Sequence, residues 1–255
     1  MQPFTPPPPD CPLCPRLVAF RTQNQQLYPH FFNGAVPPFG SLDARILVVG
    51  LAPGLKGANA TGRPFTGDFA GIILYEGLVK AGLASGDYQA RADDGFTLHD
   101  VRISNAVRCV PPQNKPTPEE AKTCNPFLVQ EMAAMPNLKL ILSLGATSHQ
   151  AVLRTLKLKQ AAYKFAHGAV HDLGFHSPLA GESKRVTRDS VGGSINKGEF
   201  SPHQLGVASL APPQGGSRKL ILLDSYHTSR YNIQTGTLTR DMFDTVLAHA
   251  LDIIN

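Results

Sequence analysis

The chain lacks any long apolar segment, and this limits where the protein can reside. None of its 255 residues belongs to an apolar run of about 18, and a helix needs about 20 to cross a bilayer. Its first ten residues lack the basic and apolar regions of a secretion signal. We therefore expect neither a membrane helix nor a signal peptide, and we predict a cytoplasmic protein in a reducing compartment.

Cysteine is scarce, with only Cys11, Cys14, Cys109 and Cys124. In a reducing compartment, four cysteines are better explained as metal ligands than as disulfides. The C-x2-C spacing of Cys11 and Cys14 lets both sulfurs reach one centre from a tight turn. A zinc ribbon would usually show a second such pair, which the chain lacks. The spacing alone leaves an iron–sulfur cluster, a zinc ion and free thiols open.

The charge balance is modestly basic, with a net charge of +5 and an isoelectric point of about 9.1. This excess weakly favours a polyanionic partner. The length and the 42% apolar content predict a single domain over 1–255, and we expect a monomer. Within this domain, the proline-rich residues 1–10 predict a flexible arm. The Gly/Ser/Pro-rich stretch 175–217 predicts a surface insertion.

Patterns typical of buried strands and amphipathic helices alternate along the chain. Strands are predicted at 44–51, 100–107, 138–144 and 219–223. Helices are predicted at 12–28, 69–82, 117–135, 146–158 and 238–254. The polar residues 84–99 predict a loop. This alternation predicts an α/β fold, a three-layer α/β/α sandwich around a central, mostly parallel four-stranded sheet.

A glycine-punctuated loop follows the first predicted strand, beginning at Gly50-Leu51-Ala52-Pro53-Gly54 and ending at Asp68. It is not a P-loop, because Lys56 is followed by Gly57, and it lacks the G-x-G of a dinucleotide site. A plain tight turn is the alternative. Glycines let backbone amides approach a ligand, and loops after parallel strands meet at one sheet edge. We therefore expect the active site at the loops after the first, second and fourth strands.

Two polar residues at this edge have both a structural and a functional explanation. Asp68 precedes a predicted helix, where an N-cap stabilises by about 1 kcal/mol. Its carboxylate would equally position a water or stabilise a positive charge, and the two roles are compatible. Asn105 lies in an apolar strand, where an amide needs partners. It either joins a structural network or pairs with the edge of a base.

An aromatic residue and a histidine complete the candidates. Phe65 is either core or a stacking platform between Arg63 and Asp68. His227 follows the fourth strand at the same edge, flanked by Thr228 and Ser229. This makes it a better candidate than His149, which lies on a predicted helix, and His167 remains a weaker one.

Together these segments resemble the uracil-DNA glycosylase superfamily, in particular family 5, the type B iron–sulfur enzymes of bacteria and archaea. The resemblance spans about residues 10 to 250 and includes all four cysteines. The matching motifs are Gly50–Gly54, Thr61–Asp68, Asn105–Cys109, Pro111-Pro112, Thr117-Pro118-Glu119, Cys124 and His227-Thr228-Ser229.

The resemblance implies a DNA repair glycosylase whose partner is DNA containing uracil or other deaminated bases. Such an enzyme flips the base out and hydrolyses its N-glycosidic bond, leaving an abasic site. The resemblance also implies a structural [4Fe–4S] cluster on the four cysteines, and it favours that cluster over zinc. The alternative function is a non-catalytic nucleic-acid-binding protein of the same fold with a four-cysteine metal site.

The resemblance also implies a role for each candidate residue. Phe65 would stack on the base and Asn105 would bond its Watson–Crick edge. His227 would stabilise the negative charge on the departing uracil, and Asp68 would orient water and stabilise the cationic sugar. The remaining substrate contacts would come from the backbone of Gly50, Leu51, Ala52 and Gly54 and from Ser229 and Arg230 at the phosphates.

This chain departs from the superfamily pattern in two places. In the best-known branch a catalytic Asp and a bulky Tyr occupy the positions of Ala52 and Gly54. The carboxylate must then be Asp68, and the looser pocket predicts release of other damaged bases, such as hypoxanthine. Thr228 replaces the Pro that follows the family's histidine, which predicts a more mobile loop around His227.

Overall fold

The computed structural model describes residues 4–174 and 219–255. The predicted insertion at 175–217 therefore lies outside the described residues. Among the helices that are described, none is both long and apolar enough to cross a membrane.

Seven strands form two sheets in the described part of the chain. They are β1 (Ile46–Gly50), β2 (Ala84–Ser85), β3 (Thr97–Leu98), β4 (Val101–Asn105), β5 (Leu140–Leu144), β6 (Val170–Asp172) and β7 (Ile221–Ser225). The central sheet has the order β4-β1-β5-β7-β6, and all its pairs are parallel except β6 with β7. Strands β2 and β3 pair antiparallel where a loop was predicted.

The mostly parallel α/β fold is confirmed, but the count of four strands in the central sheet was wrong by one. The fifth strand, β6, is an edge strand of three residues, too short to show a strand periodicity in the sequence. The fourth predicted strand is shifted, because Asp224 and Ser225 belong to β7 and are fully buried rather than lying in the loop after it.

Residues 4–174 and 219–255 also contain seven α-helices. They are α1 (Pro15–Leu27), α2 (Ala58–Thr61), α3 (Phe69–Lys80), α4 (Pro118–Ala133), α5 (Ala146–Thr155), α6 (Arg230–Gln234) and α7 (Arg240–Ile254). A capping box begins α4, since Thr117 Oγ1 accepts the Glu120 N–H at 3.2 Å and a Glu120 carboxylate oxygen accepts the Thr117 N–H at 2.8 Å. Both bonds satisfy amides that would otherwise be unpaired at the helix start.

The side chains of β1 point alternately to the two faces of the sheet, and this explains why helices cover both faces. Ile46 and Val48 pack with helices α3 and α7 on one face, whereas Leu47 and Val49 pack with α4 and α5 on the other. Successive side chains of a strand point to opposite faces, so a strand that is apolar throughout must be covered on both sides. The loops at the carboxyl ends of the parallel strands are thereby held at one edge between two layers of helices.

The proline-rich N-terminal segment packs against the rest of the protein. The Ala35 N–H donates to the Pro9 carbonyl at 2.9 Å, and Pro7 lines a cavity that also contains the cysteines. The Phe4 ring lies 5.5 Å from the Arg102 guanidinium. These contacts connect residues 4–10, where the sequence predicts a flexible arm, to the rest of the protein. Pro7 is buried, whereas Pro8 and Pro9 are exposed.

Candidate active site and cysteine centre

A cavity of about 480 Å³ lies where the carboxyl ends of β1, β4, β5 and β7 meet. Its lining includes seven of the predicted site residues, namely Leu51, Ala52, Gly54, Phe65, Asp68, Asn105 and His227. The volume is within the range of small-molecule sites. We call this cavity the edge pocket.

The two carboxylate oxygens of Asp68 have different surroundings, one at the start of α3 and one at the edge pocket. Asp68 is the N-cap of α3, with Oδ1 accepting the Gly71 N–H at 3.0 Å. Its Oδ2 faces Gly54 and Gly57, and a Cβ at position 57 would lie only 2.5 Å from that oxygen. The N-cap explanation is confirmed, and the functional explanation stays a prediction that the position of Oδ2 allows.

Phe65 and Asn105 meet above Gly50. A Cβ at Gly50 would lie 2.4 Å from Asn105 Oδ1 and 2.6 Å from Phe65 Cζ, so no larger residue fits there. Gly50 does not line the pocket itself, but it makes room for both side chains. Among the described residues, none is hydrogen-bonded to the Asn105 amide, which leaves its donors and its acceptor available to a ligand.

Phe65 holds a left-handed backbone conformation, with φ of 52°, that a bulky residue seldom adopts. Hydroxyl groups hold the backbone on both sides of it. Tyr75 Oη donates to the Pro64 carbonyl at 2.7 Å, and Tyr88 Oη bonds the Phe65 carbonyl and the Gly67 N–H, both at 3.2 Å. Backbone strain of this kind persists only where the surroundings over-determine it, and it is concentrated at functional sites.

A buried ion pair fixes the start of the same loop. Arg63 binds the Asp94 carboxylate with two bonds of 2.7 Å and donates from Nε to Thr66 Oγ1 at 2.8 Å. Its guanidinium also lies 5.0 to 5.9 Å from the centroids of four aromatic rings. Those rings are Phe39, Tyr75, Tyr88 and Phe96.

His227 faces the same pocket from the loop after β7. Its ring centroid lies 6.1 Å from that of Phe65, and Asn232 Nδ2 donates to its carbonyl at 2.8 Å. Burial lowers the pKa of His227, and the nearby Asp68 charge opposes that change only in part. The imidazole is therefore neutral at neutral pH and has one N–H to donate.

Thr228 anchors the loop around His227. The sequence predicts a more mobile loop there, because Thr228 replaces the family's proline. The threonine side chain is buried, and its hydroxyl donates to the Ala70 carbonyl at 3.0 Å. A proline could not make this bond, so the threonine attaches the histidine loop directly to α3.

Ser229 and Arg230 lie beside the pocket rather than in its wall. Ser229 is the N-cap of α6 and accepts the Asn232 N–H at 3.3 Å. Arg230 is exposed, with its guanidinium 5.3 Å from the Phe69 ring centroid. The structure therefore places both residues at the rim.

The sequence did not single out the wall that faces Phe65. This wall consists of the start of α5, from Gly145 to Ser148, together with Phe165 and Tyr226. The signal that was available is topological, since β5 also ends at this edge and the loop after it must lie there too. Asn114 and Asn232 complete the rim and have no distinctive local pattern.

Of the other candidate histidines, His149 joins a buried network behind this wall, and His167 lies beside it. Asp224 Oδ1 lies 2.8 Å from His149 Nδ1, and its Oδ2 lies 3.0 Å from His171 Nε2. Ser143 also donates to Asp224, at 2.7 Å. His167 stacks on Tyr226 with ring centroids 5.0 Å apart. These contacts tie β7 to its neighbours and so support the loop that carries His227.

The four cysteines lie together at a second cavity, on the side of the chain where α1 and α4 begin. Cys11, Cys109 and Cys124 are buried and Cys14 is partly buried, and none of the four forms a disulfide. Cys14 is the N-cap residue of α1, but its side chain makes no capping bond, so the sulfur is free to bind elsewhere. We call this group the cysteine centre.

The thiols of the cysteine centre are poor acids without a bound cation. Burial, together with the charge of the neighbouring sulfurs, raises the pKa of Cys14 and Cys109 to about 12 each. Four thiolates would repel one another in this setting. A bound metal centre removes that repulsion and holds the sulfurs deprotonated.

Comparison with known proteins assigns the family. The sequence profile of the uracil DNA glycosylase superfamily matches residues 37–251, most of the chain. The chain belongs to the uracil-DNA glycosylase superfamily. It is 38% identical over 245 residues to a type-5 uracil-DNA glycosylase of Thermus thermophilus, covering 94% of this chain and 92% of the relative.

Two further relatives carry the same type-5 name. That of Pyrobaculum aerophilum is 40% identical over 194 residues, covering 71% of this chain and 84% of the relative. That of Mycobacterium tuberculosis is 33% identical over 248 residues, covering 94% and 76%. The superfamily profile covers every loop of the edge pocket, whereas Cys11 and Cys14 precede the matched range.

Proposed function

We propose that this member of the superfamily is a DNA repair enzyme that removes uracil, and other deaminated bases, from DNA. It hydrolyses the N-glycosidic bond and leaves an abasic site. The observation that carries the proposal is the convergence of an aromatic ring, a free amide, a neutral imidazole and a carboxylate on the edge pocket. Relatives named as uracil-DNA glycosylases over most of the chain support it.

Recognition of the base rests on Phe65 and Asn105. An extruded base stacks on the Phe65 ring, and the Asn105 amide pairs with its Watson–Crick edge through one donor and one acceptor. The rigid anchoring of Phe65 by Tyr88 reduces the entropy lost on binding. Backbone groups at Leu51 and Ala52 line the same wall and add contacts to the base.

The leaving group is stabilised by His227. When the bond from the sugar C1′ to N1 breaks, its electron pair leaves with the base and places negative charge on the base oxygen. The neutral His227 imidazole donates its N–H to that oxygen. A preorganised donor in a partly dry site stabilises the developing charge far more than the same donor in water.

Asp68 stabilises the sugar and orients the attacking water. Its Oδ2 faces the pocket while Oδ1 is held by α3, so the carboxylate is fixed in orientation. The negative charge stabilises the cationic sugar, and the oxygen accepts a hydrogen bond from the attacking water. That water supplies the new hydroxyl at C1′, and its proton balances the departing base.

The edge pocket also has room for bases other than uracil. Ala52 and Gly54 line it with little side-chain bulk, and Gly54 lies across from the Asp68 carboxylate. A purine such as hypoxanthine is larger than uracil and has a similar carbonyl edge. We therefore propose that hypoxanthine is also released.

The DNA backbone is bound at the rim. Arg230 is exposed there, and Ser229 begins the short helix that follows His227. Contacts to the phosphates flanking the extruded nucleotide would fix its position without reading sequence. Because one chain supplies the whole pocket lining, we propose a monomeric enzyme that acts in the cytoplasm.

We also propose that Cys11, Cys14, Cys109 and Cys124 hold a structural [4Fe–4S] cluster. In a zinc site with bonds of about 2.3 Å, the four sulfurs would lie about 3.8 Å apart. Among the described residues, the only three metal-binding side chains whose ligand atoms lie within 4.8 Å of one another are His149, His171 and Asp224. The wider spacing of the sulfurs favours a cluster, in which each sulfur binds its own iron.

The function is tested with an oligonucleotide that contains one uracil, incubated with protein purified with its metal and then heated in alkali to break abasic sites. A strand break at the uracil is expected, and none in the matched thymine oligonucleotide. Binding of the uracil oligonucleotide without a break would favour the non-catalytic alternative and contradict the proposal.

A further inference from the structure

Arg108 has hydrogen-bond donors that no described protein atom satisfies. The side chain is 1% exposed, and it forms an ion pair through Nη2 with the buried Glu131. Its Nε and Nη1 have no partner, and they are two of three such buried side-chain atoms in the described chain. A buried charged donor without a partner is costly, so its persistence points to a partner outside the protein.

The position of Arg108 identifies where that partner would lie. The residue directly precedes Cys109 and lines the cavity of the cysteine centre. All four cysteines line the same cavity, and the positive charge of Arg108 is close enough to oppose the rise that burial causes in the pKa of Cys124. The unpaired guanidinium therefore lies beside the sulfurs.

A second guanidinium reaches the sulfurs from α1. Arg21 is 7% exposed, and its Nη1 lies 4.0 Å from Cys109 Sγ and 3.1 Å from the Cys11 carbonyl oxygen. Its Nη2 donates to the Asp10 carbonyl at 3.0 Å. These contacts hold the charge against the cysteine centre rather than in solvent.

The buried charges of this region do not balance without a bound group. Arg21, Arg102 and Arg108 are all buried, and among the described residues Glu131 is the one carboxylate that forms an ion pair with any of them. Glu120, which is also buried in this region, is already paired with Arg16. Two positive charges thus remain. A [4Fe–4S] core of charge 2+ held by four thiolates carries two negative charges.

We propose that Arg21 and Arg108 are the counter-charges of the cluster and raise its reduction potential by donating hydrogen bonds to its sulfurs. The inference rests on the cluster proposed above. Positive charge and hydrogen bonds at the sulfurs favour the reduced, more negative state of such a cluster. Arg108 would donate through Nε and Nη1, while Glu131 fixes the orientation of its guanidinium.

The test is a redox titration of the anaerobically purified holoprotein, monitored by its visible absorbance and by electron paramagnetic resonance. We expect Arg108→Gln and Arg21→Gln each to lower the reduction potential. Arg102→Gln is the matched control, because Arg102 also binds Glu131 but contacts no sulfur among the described residues. Arg21→Lys keeps the charge and should retain part of the wild-type potential.

Equal potentials in wild type, Arg21→Gln and Arg108→Gln would overturn the inference while leaving the cluster intact. If Arg108→Gln does not accumulate as folded protein, the reduction potentials of Arg21→Gln and Arg21→Lys test the inference without it. Iron and sulfide analysis of the wild type separates the two proposals. A colourless wild type with bound zinc would remove the cluster itself, and the inference with it.

Discussion

The edge pocket and the cysteine centre are built in opposite ways. The pocket leaves polar groups such as the Asn105 amide and Asp68 Oδ2 facing an open cavity. The cysteine centre buries its thiols and leaves charged donors unpaired inside the protein. The first arrangement suits a substrate that binds and is released, and the second suits a permanently bound group.

Because of this difference, we expect substitutions at the two sites to affect activity and stability differently. Polar groups at an open cavity are paired with water when no ligand is bound, so they cost the fold little. Buried charges without partners cost several kcal/mol, so the fold depends on whatever binds them. Substitutions in the pocket should therefore change the rate and leave stability alone, and substitutions at the cysteine centre should do the reverse.

The largest effect is expected at the cysteine centre. Cys124→Ser removes one sulfur of α4 and leaves two buried thiols and one partly buried thiol beside the Arg108 guanidinium, whose Nε and Nη1 have no partner among the described residues. The protein should lose its brown colour and iron, and its melting temperature should fall further than in any pocket variant. Absorbance near 400 nm and thermal unfolding measure this. A variant that keeps both colour and stability would contradict the comparison.

The next largest effect is expected at His227. His227→Ala removes the donor to the departing base, and loss of one such donor typically lowers kcat by about 10²–10³-fold. The melting temperature should stay close to that of wild type, because Asn232 binds the backbone of this residue and not its ring. Single-turnover release of uracil gives the rate. His149→Ala serves as the contrast, with stability reduced more than the rate.

Asp94→Asn tests whether the loop that carries Phe65 is held by its buried ion pair. Leaving Arg63 without its charged partner should destabilise the protein by roughly 3 kcal/mol. The Arg63 bonds lower the pKa of Asp94 to about 2, so this stabilisation is present above about pH 4 and lost as the pH falls toward 2. Urea unfolding at several pH values should show wild type and variant converging in acid. A gap that stays constant would argue against the ion pair.

The smallest effect concerns the breadth of substrates. Gly54→Phe should leave uracil release within a few-fold of wild type and suppress hypoxanthine release more strongly, because the side chain fills space near Asp68. Equal suppression of both bases would show that Gly54 does not set the range.

Local patterns were enough to predict four of the five strands of the central sheet, the five longer helices and one edge of the sheet. The β1 run, the capping box at Thr117 and the turn at Gly50–Gly54 are short-range signals, and they placed Asp68, Asn105 and His227 at one edge. Other parts of the site depend on distant contacts. Arg63 meets Asp94 across 31 positions, and Thr228 meets Ala70 across 158, so no local pattern reveals either bond.

The most direct test compares Asp68→Asn with Asp68→Ala. Asparagine keeps an N-cap acceptor for α3 but not the charge, whereas alanine loses both. Single-turnover uracil release at saturating protein should fall by about 10²-fold or more in both variants, with DNA affinity maintained. Only Asp68→Ala should also lose about 1 kcal/mol of stability. A wild-type rate in Asp68→Asn would contradict the central claim that this carboxylate serves the chemistry of the edge pocket.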